Sequence, residues 1–188
     1  MPPPEGAFQE LGERELVATS YLRFVRGRFV DPGGRPFERE IVRHPGAVCV
    51  VPVEADGTVI MLRQFRAPVG GVILEIPAGK LDVAGEAREA CARRELAEEV
   101  GRAAGRLREL GSFYNSPGFN DEWTTCYLAE ELSRVEAAAQ GIEEQFMTLE
   151  YVPISRVWGL VESGELVDAK SIIACALAAR ALRRRGAG

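Results

Sequence analysis

Along the chain the hydrophobic pattern changes period several times. Residues 15–30 are dense in Val, Thr, Tyr, Phe and Leu, which predicts one or two strands. Asp31-Pro32-Gly33-Gly34 is a strong turn signal, and Phe37 to Arg43 reads as a returning strand before His44-Pro45-Gly46 breaks the run. Residues 1–45 are therefore expected to form a small N-terminal β lobe, and residues 46–188 a larger body. Ala47–Glu54 and Thr58–Phe65 flank Ala55-Asp56-Gly57 and predict a β-hairpin. Leu74-Glu75-Ile76 then runs into Pro77-Ala78-Gly79, where the chain must turn sharply. Glu86 to Val100, rich in Ala, Glu, Arg and Leu with Gly101 at the C-cap position, predicts the strongest helix. Further strands are expected at 107–114, 123–129 and 146–152, and helices near 154–163 and 168–184. Strands in runs, with helices between and after them, predict an α+β fold built on a mixed-sheet sandwich rather than a doubly wound parallel sheet.

Composition narrows the function. The chain has 188 residues, 46% hydrophobic and 27% charged, which is globular and long enough to bury a core without disulfides or structural metal. Its net charge of -5 argues against a nucleic-acid groove or a polybasic membrane patch, so neither partner is expected. The densest apolar run, Ala47 to Val53, is strand length and far short of a membrane span. Cys49, Cys91, Cys126 and Cys175 form no CxxC pair, and His44 is the single histidine, so zinc ligation and a Cys-His or Ser-His catalytic set are disfavoured. The cysteines read as reduced core residues. With no positive start or apolar core in Met1 to Glu5, the expected location is cytoplasmic. Arg183-Arg184-Arg185 reads as a solvated helix end whose charge suits the dipole.

The predicted helix at 86–100 carries the chemistry. Glu95, Glu98 and Glu99 fall at about 0°, 300° and 400°, so their carboxylates share one face. The i,i+4 pair Glu95–Glu99 costs about 0.2–0.5 kcal/mol on a bare helix. A hard divalent cation among the three would explain the crowding, and Mg²⁺ takes oxygen ligands. A solvated acidic stripe with an Arg94–Glu98 pair is the competing reading of the helix alone. The loop Pro77-Ala78-Gly79-Lys80-Leu81-Asp82 upstream favours the cation: its glycine permits close backbone approach, and a backbone carbonyl there could complete a coordination shell. Glu86 would add a fourth carboxylate at the start of the helix.

The stretch Gly79-x6-Glu86-x7-Arg94-Glu95-Leu96-x-Glu98-Glu99-x-Gly101 resembles the signature box of the Nudix hydrolases. The box usually has five residues between the first glycine and first glutamate, against six here, and an apolar residue where Arg102 stands. The extra residue falls in a loop, where added length is tolerated and the helix face is unaffected. Pro117, 16 positions beyond Gly101, resembles a marker of the sub-group acting on ADP-ribose. Residues 39–46, 62–66, 75–79 and 164–169 are also similar to that sub-group.

The resemblance implies a Nudix-type α/β/α sandwich that hydrolyses the diphosphate of ADP-ribose to AMP and ribose 5-phosphate. The alternatives are another nucleoside diphosphate sugar, such as a GDP- or ADP-hexose, and more distantly a non-catalytic nucleotide sensor. It implies magnesium, two or three ions with Mn²⁺ as a substitute, on Ala78 (through its carbonyl), Glu95, Glu98 and Glu99, with Arg94 orienting Glu98. The general base is expected on a loop after the box, at Glu143 with Glu144 second; Gln145 stands where some relatives are acidic. Arg66 is expected to clamp a phosphate. Arg39 and Glu40 match positions at the adenosine end, and Ser116, Pro117, Gly118 and Glu122 positions near a ribose. Tyr21 is a candidate neighbour of adenine, weighed against an ordinary core or surface tyrosine, while His44 reads as a turn residue. The sub-group's N-terminal strands pack against a second subunit, so a homodimer is expected.

Overall fold

The structure, a computed structural model, describes residues 6–136 and 144–186. They fall into two compact units, one drawn from residues 6–46 and 114–123, the other from 47–113 and 124–186.

The first unit is an antiparallel sheet of β1 (Gln9–Ala18), β2 (Arg23–Val30) and β3 (Pro36–Arg43), in that order. Between β1 and β2 the Thr19 hydroxyl accepts the Leu22 N–H at 3.0 Å, which closes the turn. Between β2 and β3 one oxygen of Asp31 accepts the N–H groups of Gly33 and Arg35 at 2.8 and 2.9 Å, and Gly34 takes a φ of 83°. Residues 114–123, distant in sequence, run beside β3. The Val42 N–H donates to the Phe119 carbonyl at 2.8 Å, and the Arg43 guanidinium reaches Asp121 at 3.2 Å.

In the second unit, β4 (Ala47–Pro52), β5 (Thr58–Arg66), β6 (Gly71–Glu75) and β7 (Ala78–Lys80) lead to helix α1 (Arg88–Val100). After it come β8 (Arg102–Tyr114), β9 (Trp123–Arg134), β10 (Thr148–Pro153), α2 (Val157–Glu162) and α3 (Ala169–Gly186). The strands form two sheets, β10-β5-β6 and β7-β4-β9-β8. Strand β4 is buried at every position, which is why Ala47 to Pro52 is uniformly apolar instead of alternating. Its alternate residues face different helices. Val48 and Val50 pack in one cluster with Cys91, Leu96 and Val100 of α1, while Cys49 and Val51 pack in another with Ala174, Cys175 and Ala178 of α3. Strand β5 divides in the same way, Ile60 and Leu62 toward α1, Val59 and Met61 toward α3. The strands are thus a middle layer with helices on both faces, an α/β/α sandwich.

Two sequence expectations are corrected. Residues 47–54 and 58–65 do not form a hairpin: β4 pairs with β7 and β9, β5 pairs with β6 and β10, and one isolated bridge, Val53 to Val59, joins them. Both strands have partners on both edges, so the glycine turn passes the chain from one sheet to the other. The helix begins at Arg88 rather than Glu86. Ala87 caps it in an extended conformation, and the Glu86 N–H closes a turn onto the Val83 carbonyl. Its end is as expected: Gly101 sits in the left-handed region (φ 64°) and donates to the Ala97 carbonyl at 3.0 Å.

All four cysteines are free and buried, and Cys49 lies opposite Cys126 in the parallel β4–β9 register. Burial pushes the Cys91 and Cys175 thiols up to about 12. Among the described residues no helix is long and apolar enough to cross a membrane.

Leu96 is fully buried where α1 meets β4 and β5. Replacing it with Ala should destabilise the protein by about 2–5 kcal/mol through lost burial and the cavity left behind, read as a lower midpoint at unchanged slope in urea unfolding.

Candidate active site

Helix α1 presents Glu95, Glu98 and Glu99 along one face, and Arg94 organises them. One Arg94 nitrogen, Nη1, donates to Glu95 at 2.8 Å and to Glu98 at 3.0 Å. Its Nε and Nη2 grip both oxygens of Glu86 at 2.9 and 3.0 Å. The guanidinium is a rigid planar fork, so one side chain fixes three carboxylates in relative position. The Arg94 hydrogen bond holds the Glu86 carboxyl below its ordinary value, and the three acids raise Arg94 in return. Glu86, one residue before the N-cap, is therefore the far anchor of this fork and not part of the helix.

Glu99 faces the loop. It is buried, and its Oε2 accepts the Ala78 N–H at 3.0 Å. Gly79 lies so close to Glu95 that a Cβ there would fall 1.9 Å from Oε1 and 2.1 Å from Cδ. A side chain at 79 would therefore push the Glu95 carboxylate off its place on Arg94, and no unusual φ is involved. Strand β7 holds the loop through its pairing with β4, Cys49 opposite Ala78.

A second charged cluster sits behind the loop. Glu75 is 2% exposed and accepts Arg66 through both oxygens, at 2.9 and 2.6 Å. Lys170 adds a bond to Glu75 at 2.6 Å and one to Asp168 at 2.9 Å. Asp168 also accepts the Ser171 N–H and hydroxyl, and the Ser171 oxygen accepts the Ile76 N–H at 2.9 Å. Arg66, the residue expected to clamp a phosphate, thus has its Nε and Nη2 on Glu75. Sequence reading assigned no role to Glu75, Lys170, Asp168 or Ser171. The available signal was an acid at 75 between Leu74 and Ile76, a run that otherwise reads as core.

In the first unit, Arg39, Glu40, Pro117 and Gly118 line one cavity of about 330 Å³, together with Phe29 and Tyr114. Arg39 lies 4.9 Å over the Phe37 ring, and Glu40 pairs with Arg26 at 2.8 Å. The Ser116 carbonyl accepts the N–H groups of Phe119 and Asn120, and the Glu122 N–H bonds Asn120 at 2.7 Å, so these two residues shape the loop. Tyr21 packs edge-on against His44 at 6.0 Å, and the His44 ring accepts the Gly46 N–H within the turn. Glu143 lies outside the described residues. Glu144 begins a single 3₁₀ turn, 144–146.

Comparison with known proteins places this geometry. The family described as the NUDIX domain matches residues 42–174, which contain the whole of α1, its loop and the Glu75 cluster. The chain belongs to the NUDIX domain family. It is 47% identical over 143 residues to an ADP-ribose pyrophosphatase of Bacillus subtilis, covering 76% of this chain and 77% of that one. A methanol dehydrogenase activator of Bacillus methanolicus is 40% identical over 143 residues, with the same coverage. An ADP-ribose pyrophosphatase of Mycobacterium tuberculosis is 36% identical over 168 residues, 89% of this chain and 81% of that one. A solved structure described as an ADP compounds hydrolase superposes with a TM-score of 0.83 over 95% of this chain and 96% of that one; at 21% identity it shows the fold.

NUDIX hydrolases generally need a divalent metal. In the arrangement described, the carboxylates turn onto Arg94 and the Ala78 N–H, and among the described residues no group of three His, Cys, Asp or Glu side chains forms a ready cage. The donor chemistry nonetheless fits: Glu86, Glu95 and Glu98 are hard oxygen donors gathered around one guanidinium, Glu99 adds a carboxylate at the Ala78 N–H, and the loop backbone at Gly79 abuts Glu95.

The Glu75 cluster predicts a pH dependence. Burial pushes the Glu75 carboxyl up, but the Arg66 bonds and the Lys170 charge outweigh it and hold the group below its ordinary 4.5. A depressed carboxyl contributes stability above its unfolded value and loses it as pH falls through the folded one. The stability gap between wild type and Glu75→Gln should therefore be full at neutral pH and shrink as the medium is acidified below about pH 4.5, in urea titrations across that range.

Proposed function

We propose that this NUDIX protein hydrolyses the diphosphate of ADP-ribose, giving AMP and ribose 5-phosphate. The observation that carries the reading is the intact box: Glu86, Glu95 and Glu98 held together by Arg94, with Glu99 set against the Ala78 N–H. Support comes from the ADP-ribose pyrophosphatase 47% identical to it. In this reading the Ala78 carbonyl, Glu95, Glu98 and Glu99 hold Mg²⁺, two or three ions with Mn²⁺ as a substitute. The metal supplies charge neutralisation of the diphosphate and a lowered pKa for water. Arg94 keeps Glu95 and Glu98 pointed at the site, and Glu99 ties the helix to the loop. The Glu143 carboxylate takes the proton of the attacking water, with Glu144 as the second candidate, while the water oxygen bonds to one phosphorus and the bridging oxygen leaves with the other. Arg39, Glu40, Pro117 and Gly118 line the cavity assigned to the adenosine and ribose side, with Ser116 and Glu122 shaping its loop. The N-terminal β lobe, residues 1–45, is assigned to dimerisation, residues 46–188 to catalysis, and the working form to a cytoplasmic homodimer.

The test is incubation with ADP-ribose, ADP-hexoses and GDP-hexoses in Mg²⁺, with products separated by chromatography. AMP and ribose 5-phosphate should appear fastest; faster turnover of a hexose would move the substrate to that nucleoside diphosphate sugar, and no turnover would overturn the reading. Residues that merely orient metal ligands cost about 10–100-fold when lost, so Glu99→Gln should cost more than that while leaving the protein folded.

Glu143→Gln should lower kcat by about 10²–10⁴-fold with metal affinity retained, as loss of a general base does. A larger effect from Glu144→Gln would transfer that role to the second glutamate.

A further inference from the structure

Four consecutive residues, Glu75 to Ala78, are all tied down by other elements, β4, β5, α1 and α3. Arg66 of β5 and Lys170 of α3 hold the Glu75 carboxylate. The Ser171 oxygen accepts the Ile76 N–H at 2.9 Å. The Pro77 carbonyl accepts the Val50 N–H at 2.9 Å, and the Ala78 N–H donates to Glu99 at 3.0 Å. Two of these ties come from the start of α3, and Asp168 orients both. Its Oδ2 accepts Lys170 at 2.9 Å, the Ser171 N–H at 3.0 Å and the Ser171 hydroxyl. An ionised carboxylate can only accept, so the Ser171 hydroxyl must spend its single proton on Asp168, which leaves a lone pair for Ile76. Ser171 is 0% exposed, so its bonds are shielded from bulk solvent.

Stability alone does not account for this arrangement. Buried ion pairs return little net stability over well-packed apolar residues of similar volume. What the cluster does supply is a fixed position. Pro77 has a locked φ, so a displacement at Ile76 passes directly to Ala78.

We infer that Asp168, Lys170 and Ser171 are positioning residues: through Glu75 and the Ile76 N–H they set where the Ala78 backbone stands against Glu99, and thereby the protein's affinity for a divalent cation. This rests on the assignment of Ala78 and Glu99 to the cation made above.

The experiment pairs amide hydrogen exchange in the metal-free protein with Mn²⁺ titration by calorimetry, on wild type, Ser171→Ala, Lys170→Met, Lys170→Arg and Glu99→Gln. The deciding amide is Ala78, because Ile76 loses its acceptor outright in Ser171→Ala. Residues that orient metal ligands typically change metal affinity about 10–100-fold, so Lys170→Met should weaken Mn²⁺ binding about tenfold or more and speed Ala78 exchange, with Ile60 in β5 unchanged. Ser171→Ala should act in the same direction, and Lys170→Arg should restore most of the loss. Either Ala78 exchange or Mn²⁺ affinity within about twofold of wild type in a folded Lys170→Met protein would overturn the inference. Should Ser171→Ala fail to fold, the two Lys170 variants decide alone. Normal Mn²⁺ affinity in Glu99→Gln would overturn the cation assignment and the affinity half of the inference with it, whereas unchanged Ala78 exchange overturns the positioning claim by itself.

Discussion

Carboxylates gathered on one helix face repel each other, and at 4 Å under intermediate screening the opposition between two of them is about 4 kcal/mol. The second unit is arranged around that repulsion. Arg94 lies between Glu86, Glu95 and Glu98, and its planar fork lets a single positive charge meet three negative ones at 2.8–3.0 Å. The like-charge pair Glu95–Glu99 is eased differently: Glu95 turns to Arg94, while Glu99 turns to a backbone N–H in the loop. The helix face thus remains acidic without the acids facing one another, and the loop is drawn onto the helix by the charge that would otherwise destabilise it.

The Glu75 cluster solves a related problem in a drier place. There one buried carboxylate meets two cations, and Asp168 balances the second of them. Arg66 also feels the charges of Glu99 and Asp168, so the two clusters share an electrostatic environment across the loop. The helix face carries an excess of carboxylates, whereas the Glu75 cluster is balanced, two carboxylates against two cations, and the 75–79 backbone runs between them.

The sequence made the acidic face legible because helical spacing alone puts 95, 98 and 99 together, and the αL glycine at 101 marks where the helix stops. Strand existence was legible from apolar runs; strand partnership was not. Ala47–Pro52 and Thr58–Arg66 look like a hairpin locally, and only the non-local β9 and β10, more than 70 residues away, show that each strand's edges were already taken. The helix start was misplaced because Glu86 suits a first turn by type, whereas its side chain is needed eight residues on at Arg94. Arg66 illustrates the same limit: a bidentate arginine is visible by residue type, but its pairing with Glu75 depends on a fold that buries Glu75 nine positions later.

The thiols in the core have a use that composition alone does not suggest. With Cys49, Cys91, Cys126 and Cys175 all enclosed, and two of them pushed up to about 12, alkylating reagents meet no ready thiolate while the protein stays folded. Cys49, Cys126 and Cys175 sit on the α3 side of the middle layer, and Cys91 on the α1 side. The order in which they become alkylated would record which side of the sandwich opens first, so the wild-type chain carries its own probes of local unfolding. A cysteine introduced at an exposed position would be the single fast-labelling site for a fluorophore.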